Sequence, residues 1–373
     1  MHLVVAAPDS RDALQRELSQ SLTGKCREIR SGLFSFDLEI EATTRLPYLA
    51  FARQMAPHAR EVSAASIRTW AGVLVDSVAG VLPDHQPWSL HVYPFEELLG
   101  ATRMGARAWH TRARAGQPVL PAAAERPSSG AGHTRCRLVR EAAVELLTKR
   151  RRHLGRYLRQ HEGVFGGEEA LAQLILTSPE QGYVSIAPAP LPFEQRHAIS
   201  RFPGGEVAVA SDKEAPSRAF AKLVEAEARL GLRIGARDTC VDLGAAPGSW
   251  TYVAARRGAR VIAVDRADLR ADLMQHRSVQ FQRGDAFRYE PAQPVDWLLC
   301  DVIAAAERSA DLLLRWLDSR WCRHFVVTLK VDEAGSNAVL SELKRRLPEL
   351  TSELWLLRLS ANKKEVCAFG TIG

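Results

Sequence analysis

The chain has 373 residues, 46% of them hydrophobic and 25% charged, with a formal net charge of +7. That length and balance predict a soluble globular protein of two domains with a small extra module, and the basic charge fits a polyanionic partner. No run approaches the ~18 apolar residues of a membrane span. Six scattered cysteines (Cys26, Cys136, Cys240, Cys300, Cys322, Cys367) without a Cys-x-x-Cys pair suggest neither a disulfide framework nor a zinc site. A reducing cytoplasm is the expected compartment. The opening run Leu3–Ala7 is too short for a signal segment.

In chain order, Leu3–Ala6 reads as a strand, Asp9–Ser21 as a helix capped by Asp9 or Ser10, and Leu33–Ile40 as an alternating strand. These form a small α/β module over residues 1–55. A second block, 56–195, begins with an apolar helix at Ile67–Leu82 and a strand at Trp88–Tyr93. Gly116–Gly132, rich in Pro, Gly and Ser, reads as a loop or insertion. A long helix, Arg135–His161, follows. Ala172–Thr177 and Gly182–Ala187 form a hairpin, and Pro188, Pro190 and Pro192 suit a linker. A third block, 196–373, has strands and helices alternating from Lys213 onward. That pattern predicts an α/β domain with a mostly parallel sheet and crossover helices.

The long helix is strongly basic. Between Arg135 and Gln160 stand nine cations (Arg135, Arg137, Arg140, Lys149, Arg150, Arg151, Arg152, Arg156, Arg159) against two acids, Glu141 and Glu145, an excess equal to that of the whole chain. Arg103, Arg107, Arg112 and Arg114 add a second basic run. Such a face can grip phosphate backbones without reading sequence, and it can equally be a solvated helix face.

The chemistry-bearing groups lie in the third block. Cys240–Leu243 is a strand that runs into the turn Gly244-Ala-Ala246-Pro247-Gly248 and a helix from Ser249-Trp250. This turn departs from the dinucleotide fingerprint: the third glycine is missing, and a proline stands where the helix should begin. From Asp242, 23 residues on, the strand Arg260–Asp265 ends in an acid suited to both hydroxyls of an adenosine ribose. A third strand, Val279–Gln282, leads to Gly284-Asp285, placed for an adenine amino group. Together these positions suit an adenosyl ligand without pyrophosphate, namely S-adenosylmethionine. Val295–Asp301 is a further strand ending in a carboxylate, and His324–Lys330 one ending in an amine. Lys222 precedes the first strand and Glu365 lies in the last. Polar groups at the carboxyl ends of parallel strands converge on one crevice.

The segments Ser217–Ala226, Asp242–Trp250, Asp296–Asp301, Trp321–Phe325 and Thr328–Lys330 resemble the RNA ribose 2′-O-methyltransferases of the FtsJ type. Phe51–Gln54 and Trp316–Arg323 add a resemblance to the bacterial 23S rRNA cytidine 2′-O-methyltransferase M family. The motif-dense resemblance covers about residues 213–370. It departs at Ala246 and Ser249, where those enzymes often carry cysteine and glycine; both residues are small enough to keep the turn. The resemblance implies a Rossmann-like methyltransferase domain preceded by a THUMP-like RNA-binding domain, and S-adenosylmethionine bound by Ser217, Asp242, Gly244, Ala246, Pro247, Gly248, Ser249, Trp250, Asp265, Asp285 and Asp301. It further implies a catalytic tetrad of Lys222, Asp301, Lys330 and Glu365, with Lys330 as base and 23S ribosomal RNA as partner. No metal is required by these motifs. A ribose hydroxyl is a poor nucleophile, so a neighbouring lysine can take its proton only if its own pKa is depressed by burial or a second cation.

Rival readings stand beside this one. A catalytically silent RNA-binding protein could keep the fold, and the enzyme could act on another RNA. A nicotinamide-dependent oxidoreductase would need the absent third glycine. A base methyltransferase would need an Asn/Asp-Pro-Pro-aromatic motif where Asp301-Val-Ile-Ala304 stands.

Overall fold

A computed structural model describes residues 1–22, 24–39, 44–95, 131–159, 166, 168–187, 189, 191, 193–331 and 337–373. The basic run Arg103–Arg114, the three linker prolines and most of Gly116–Gly132 lie outside the described residues. The chain divides into two compact units, Met1–Glu206 and Val207–Gly373.

The first unit holds two four-stranded sheets. In one, β1 (His2–Ala6), β2 (Cys26–Arg30), β3 (Leu33–Phe36) and β4 (Ala52–Ala56) pair antiparallel in the order β2-β3-β1-β4. Helix α1 (Arg11–Ser21) buries Leu14 and Leu18. Its Glu17, also buried, accepts hydrogen bonds from the backbone N–H groups of Ala50 (2.8 Å) and Phe51 (3.1 Å), fixing the chain just before β4. Ser10 stands at the N-cap of α1 without a capping side-chain hydrogen bond.

The second sheet contains β5 (Arg60–Ser63), β6 (Trp88–Pro94), β7 (Ala170–Leu176) and β8 (Gln181–Ala187) in the order β5-β8-β7-β6. β7 and β8 form the expected antiparallel pair, and β6 runs parallel to β7. Helices α2 (Ile67–Ala79) and α3 (Ala131–Arg150) share one hydrophobic cluster with these strands. Cys136, Val139, Ala143 and Leu147 recur at intervals of three and four, so they line one face of α3 and bury it.

The long basic helix is interrupted. It breaks at Arg151 and resumes as α4 (Arg152–Tyr157). Two interactions explain the break: Leu154 turns into the core, and Leu158 leaves the helix to bridge Trp88 of β6.

The second unit is a seven-stranded sheet in the order β11-β10-β9-β12-β13-β15-β14. Its strands are β9 (Thr239–Leu243), β10 (Arg260–Asp265), β11 (Val279–Arg283), β12 (Val295–Cys300), β13 (Cys322–Lys330), β14 (Thr351–Leu357) and β15 (Glu365–Ile372). Helices α5 (Phe220–Leu230), α6 (Ser249–Arg256), α7 (Ala306–Asp318) and α8 (Asn337–Leu350) connect them. The first five strands in the order are parallel, which is why they read as short apolar runs joined by helices. β15 instead runs antiparallel between β13 and β14. Strand order reverses between β9 and β12, the position where open α/β sheets form a ligand crevice.

Candidate active site

The parallel strands deliver their polar residues to one edge. Asp242 lies one residue before the end of β9, Asp265 ends β10, Asp285 follows β11 and Asp301 follows β12. Because β15 is antiparallel, its first residue meets the last residue of β13, and Glu365 stands directly opposite Lys330. Paired residues share a sheet face, and strand alternation puts Thr328 on that face as well.

Lys222, on α5, is the hub of this edge. Its Nζ donates to Asp301 Oδ1 at 2.9 Å and Oδ2 at 3.2 Å, and lies 3.2 Å from Glu365 Oε2. Burial alone would lower the Lys222 pKa, but the Asp301 carboxylate, followed by that of Glu365, outweighs it and raises the pKa above the ordinary value. Burial likewise works against ionisation of Glu365. Lys222, the Lys363 backbone N–H and Asn362 more than offset it, holding Glu365 below the usual carboxylate range. Thr328 Oγ1 donates to Asp301 Oδ1 at 2.7 Å.

Lys222, Asp301 and Glu365 are thus brought together, with one positive charge against two negative. Lys330 stands exposed beside them, with no ion pair among the described residues. The expected burial or uncompensated second cation at Lys330 is therefore not met: Lys330 is exposed, and the charge of Lys222 is outweighed by Asp301 and Glu365. Thr328 and Asn362 did not emerge as site residues from the sequence. Thr328 was discernible, since it sits two places before Lys330 on the same strand face.

The glycine turn is held shut from β10. Asp265 Oδ2 accepts from the Ala246 N–H at 2.9 Å, and Oδ1 accepts from the Ala267 N–H at 2.8 Å. Gly244 has φ +73°, and a Cβ there would lie 2.7 Å from Val302 Cγ2. Gly248 has φ +108°, where a Cβ would run into Leu273; both positions require glycine. Pro247 is exposed between them.

Ser249 is buried and its Oγ lies 2.7 Å from that of Ser217, tying the start of α6 to the segment leading into α5. Trp250 is 2% exposed and its indole N–H donates to the Ala219 carbonyl, so its side chain positions the Lys222 helix instead of lining the crevice. Asp242 is also buried and accepts from Thr251 Oγ1 at 2.6 Å; desolvation pushes its pKa up to about 7. Asp285 caps a short 3-10 turn through the Phe287 N–H at 3.0 Å, and Arg266 reaches its other oxygen at 2.7 Å.

This turn is ill suited to a pyrophosphate. The Ala246 amide that would help to cradle one already serves Asp265, and residues 244–249 carry no cation. The half-buried carboxylates of Asp265, Asp285 and Asp301 at three strand ends suit a ligand with hydroxyl groups and positive charge, with Asp242 buried behind them. The glycine turn, the acids and the parallel sheet define a Rossmann-like methyltransferase fold. Residues 215–338 match the model of the FtsJ-like methyltransferase family.

Two relatives are called ribosomal RNA large subunit methyltransferase M. That of Teredinibacter turnerae is 34% identical over 191 residues, covering 50% of this chain and 53% of its own length. That of Xylella fastidiosa strain 9a5c is 44% identical over 126 residues, covering 32% and 35%. The chain therefore spans about half the length, or less, of these curated relatives. Among solved structures, 1,6-didemethyltoxoflavin-N1-methyltransferase of Burkholderia thailandensis aligns over 42% of this chain and 79% of its own, with 17% identity and a TM-score of 0.33.

Proposed function

We propose that the protein is an S-adenosylmethionine-dependent RNA methyltransferase that methylates a ribose 2′-hydroxyl, with a cytidine of 23S ribosomal RNA as target and the cytoplasm as its compartment. The observation that carries this reading is the Lys222–Asp301–Glu365 cluster with Lys330 opposite Glu365, at the strand edge of an FtsJ-like domain. The name shared by the two relatives supports large-subunit ribosomal RNA as the substrate class.

Bound S-adenosylmethionine supplies an electrophilic methyl group on a sulfonium. Lys330 would take the proton of the ribose hydroxyl and pass it to solvent, while the donor would supply the methyl group and leave as its neutral thioether. Lys222 holds Asp301 and Glu365 in place, so the pocket carries little net charge when Lys330 is protonated. Asp265, Asp285 and the turn Gly244–Ser249, with Ser217, form the donor site, backed from within by the buried Asp242 and Trp250. Incubating total RNA with labelled methyl donor and mapping the product tests the reading. A 2′-O-methylcytidine in 23S RNA is expected; label on a base, or no label in any RNA, overturns it.

Asp265 has a second role as the clasp of the glycine turn. Asp265→Ala is therefore expected to raise the dissociation constant for S-adenosylmethionine, measured by calorimetry, by roughly tenfold or more, since a hydrogen bond to a charged group is worth about 1.5–3 kcal/mol. An unchanged constant removes Asp265 from the donor site.

RNA binding is assigned to residues 1–55 as an α/β module and 56–195 as a THUMP-like domain, and catalysis to 196–373, of which residues 196–206 fold with the first unit. On α3, Arg137 is matched by Glu141 and Lys149 by Glu145, while Arg159 lies 2.7 Å from Glu169. Arg150, Arg151 and Arg152 at the helix break are exposed and make no ion pair among the described residues. Replacing all three with Gln is expected to weaken binding of every RNA sequence alike. For each arginine that grips a phosphate, its removal should flatten the log–log salt dependence by about 0.7–0.9. An unaltered slope would make the break a solvated face.

A further inference from the structure

The short turn between β14 and β15 does more than join two strands. It is tied to helix α5 at both ends. At its start the buried Glu225 accepts the Ser360 N–H at 2.8 Å, and Arg229 on the same helix holds the other Glu225 oxygen at 2.7 Å. At its end Lys222 lies 3.2 Å from Glu365. Lys222 and Glu225 are three residues apart and so share one helix face.

Asn362, 8% exposed, bridges the interior of the turn. Its Oδ1 accepts the Leu359 N–H at 2.7 Å, and its Nδ2 donates to Glu365 Oε2 at 3.3 Å. The orientation of the amide is forced, because a backbone N–H requires the oxygen and leaves the NH₂ for the carboxylate. The Lys363 N–H reaches the same Oε2 at 3.2 Å, so three donors converge on one oxygen.

We propose that Asn362 is a positioning residue of the methyl-transfer site, fixing the Glu365 carboxylate on Lys222 while Glu225 anchors the turn that carries both. The inference rests on the methyltransferase reading above. The charged groups that face Glu365 are Lys222 from α5 with Asp301 across it, Lys330 opposite on β13, and Lys363 on the turn itself. Lys222 and the Lys363 N–H are already engaged with the same oxygen, so neither can replace the Asn362 donor, and Lys330 makes no ion pair with it.

Asn362→Asp separates this role from that of shaping the turn. The variant keeps an acceptor for the Leu359 N–H, removes the donor, and sets a second carboxylate against Glu365. In the full-length chain labelled with ¹³C-glutamate, the Glu365 carboxyl is expected to titrate about one pH unit or more above its wild-type position. The two carboxyls should lose their protons in two coupled steps. Single-turnover methyl transfer at saturating RNA and donor is expected to fall about tenfold in the otherwise wild-type chain, but less than about twofold in a Glu365→Gln background, since residues acting through one another are not additive. An unmoved Glu365 titration, or an equal loss in both backgrounds, overturns the proposal. If Asn362→Asp fails to fold, Asn362→Ala removes the donor without adding charge, and a smaller upward shift is expected in the same titration. If the wild-type chain methylates no RNA, the functional reading fails, and the titration still decides the role of Asn362.

Discussion

Lys330→Ala is expected to reduce methyl transfer to RNA by ~10²–10⁴, the usual loss when a general base is removed, with donor affinity nearly unchanged. The base acts on the RNA hydroxyl, and the donor turn Gly244–Trp250 belongs to other strands. Lys330 is exposed at the end of β13 and shares its face with Thr328 and Glu365, so an incoming ribose can reach it. Lys330→Arg is the sharper variant. It keeps a positive charge opposite Glu365 but cannot give up a proton near neutral pH. If Lys330 is the base, the arginine chain is as inactive as the alanine chain; if it serves only by its charge, arginine restores turnover. Single-turnover rates with separately measured donor binding distinguish the outcomes, and substantial alanine-variant activity at neutral pH rejects the base role.

Lys222→Met is expected to destabilise the C-terminal unit as well as inactivate it. Removing one partner of a buried ion cluster leaves uncompensated charge and typically costs 3–5 kcal/mol. The Asp301 and Glu365 side chains retain 21% and 18% exposure, so about 2–3 kcal/mol is the expected loss near neutral pH. The pH dependence has a definite sign. Glu365 in the folded protein lies below its ordinary value, so its contribution is present above that ordinary value and lost as pH falls through the folded one. Lys222 lies above its ordinary value, so its contribution is present below about pH 10 and lost above. The deficit of the methionine variant should therefore be widest between about pH 5 and 10 and narrow on acidification below the glutamate range. Urea titration followed by tryptophan fluorescence would show this, and a deficit independent of pH would mean that Lys222 stabilises by packing alone.

The second unit was largely legible because its strands are short apolar runs that end in polar residues, and a parallel sheet buried on both faces produces that pattern. The insertion of β15 was not legible. No periodicity tells whether Glu365–Ile372 runs with or against its neighbours, and it is the antiparallel choice that sets Glu365 against Lys330. In the first unit three strands carry no clear strand signal, for different reasons. Cys26–Arg30 and Arg60–Ser63 are edge strands with charged residues, lacking a clean alternation. Ala52–Ala56 consists of helix formers, and tertiary context overrides that propensity. Gln54, fully buried, accepts the Ser200 N–H at 2.7 Å and donates to the Ser200 carbonyl at 3.2 Å, which holds the segment extended. The basic helix reads as one piece because its composition favours helix across the break, and nothing local announces that Leu158 bridges Trp88.

The antiparallel placement of β15 also bears on the order of events during synthesis. Lys222 emerges 143 positions before Glu365, and Asp301 can engage it first. Until β15 slots between β13 and β14, that lysine has one carboxylate partner, the sheet has an open seam, and no acid faces Lys330 across the strands. A nascent chain carrying every donor-site residue would thus lack the finished methyl-transfer pocket. The Lys222–Asp301–Glu365 cluster is therefore completed only once β15 has paired with β13.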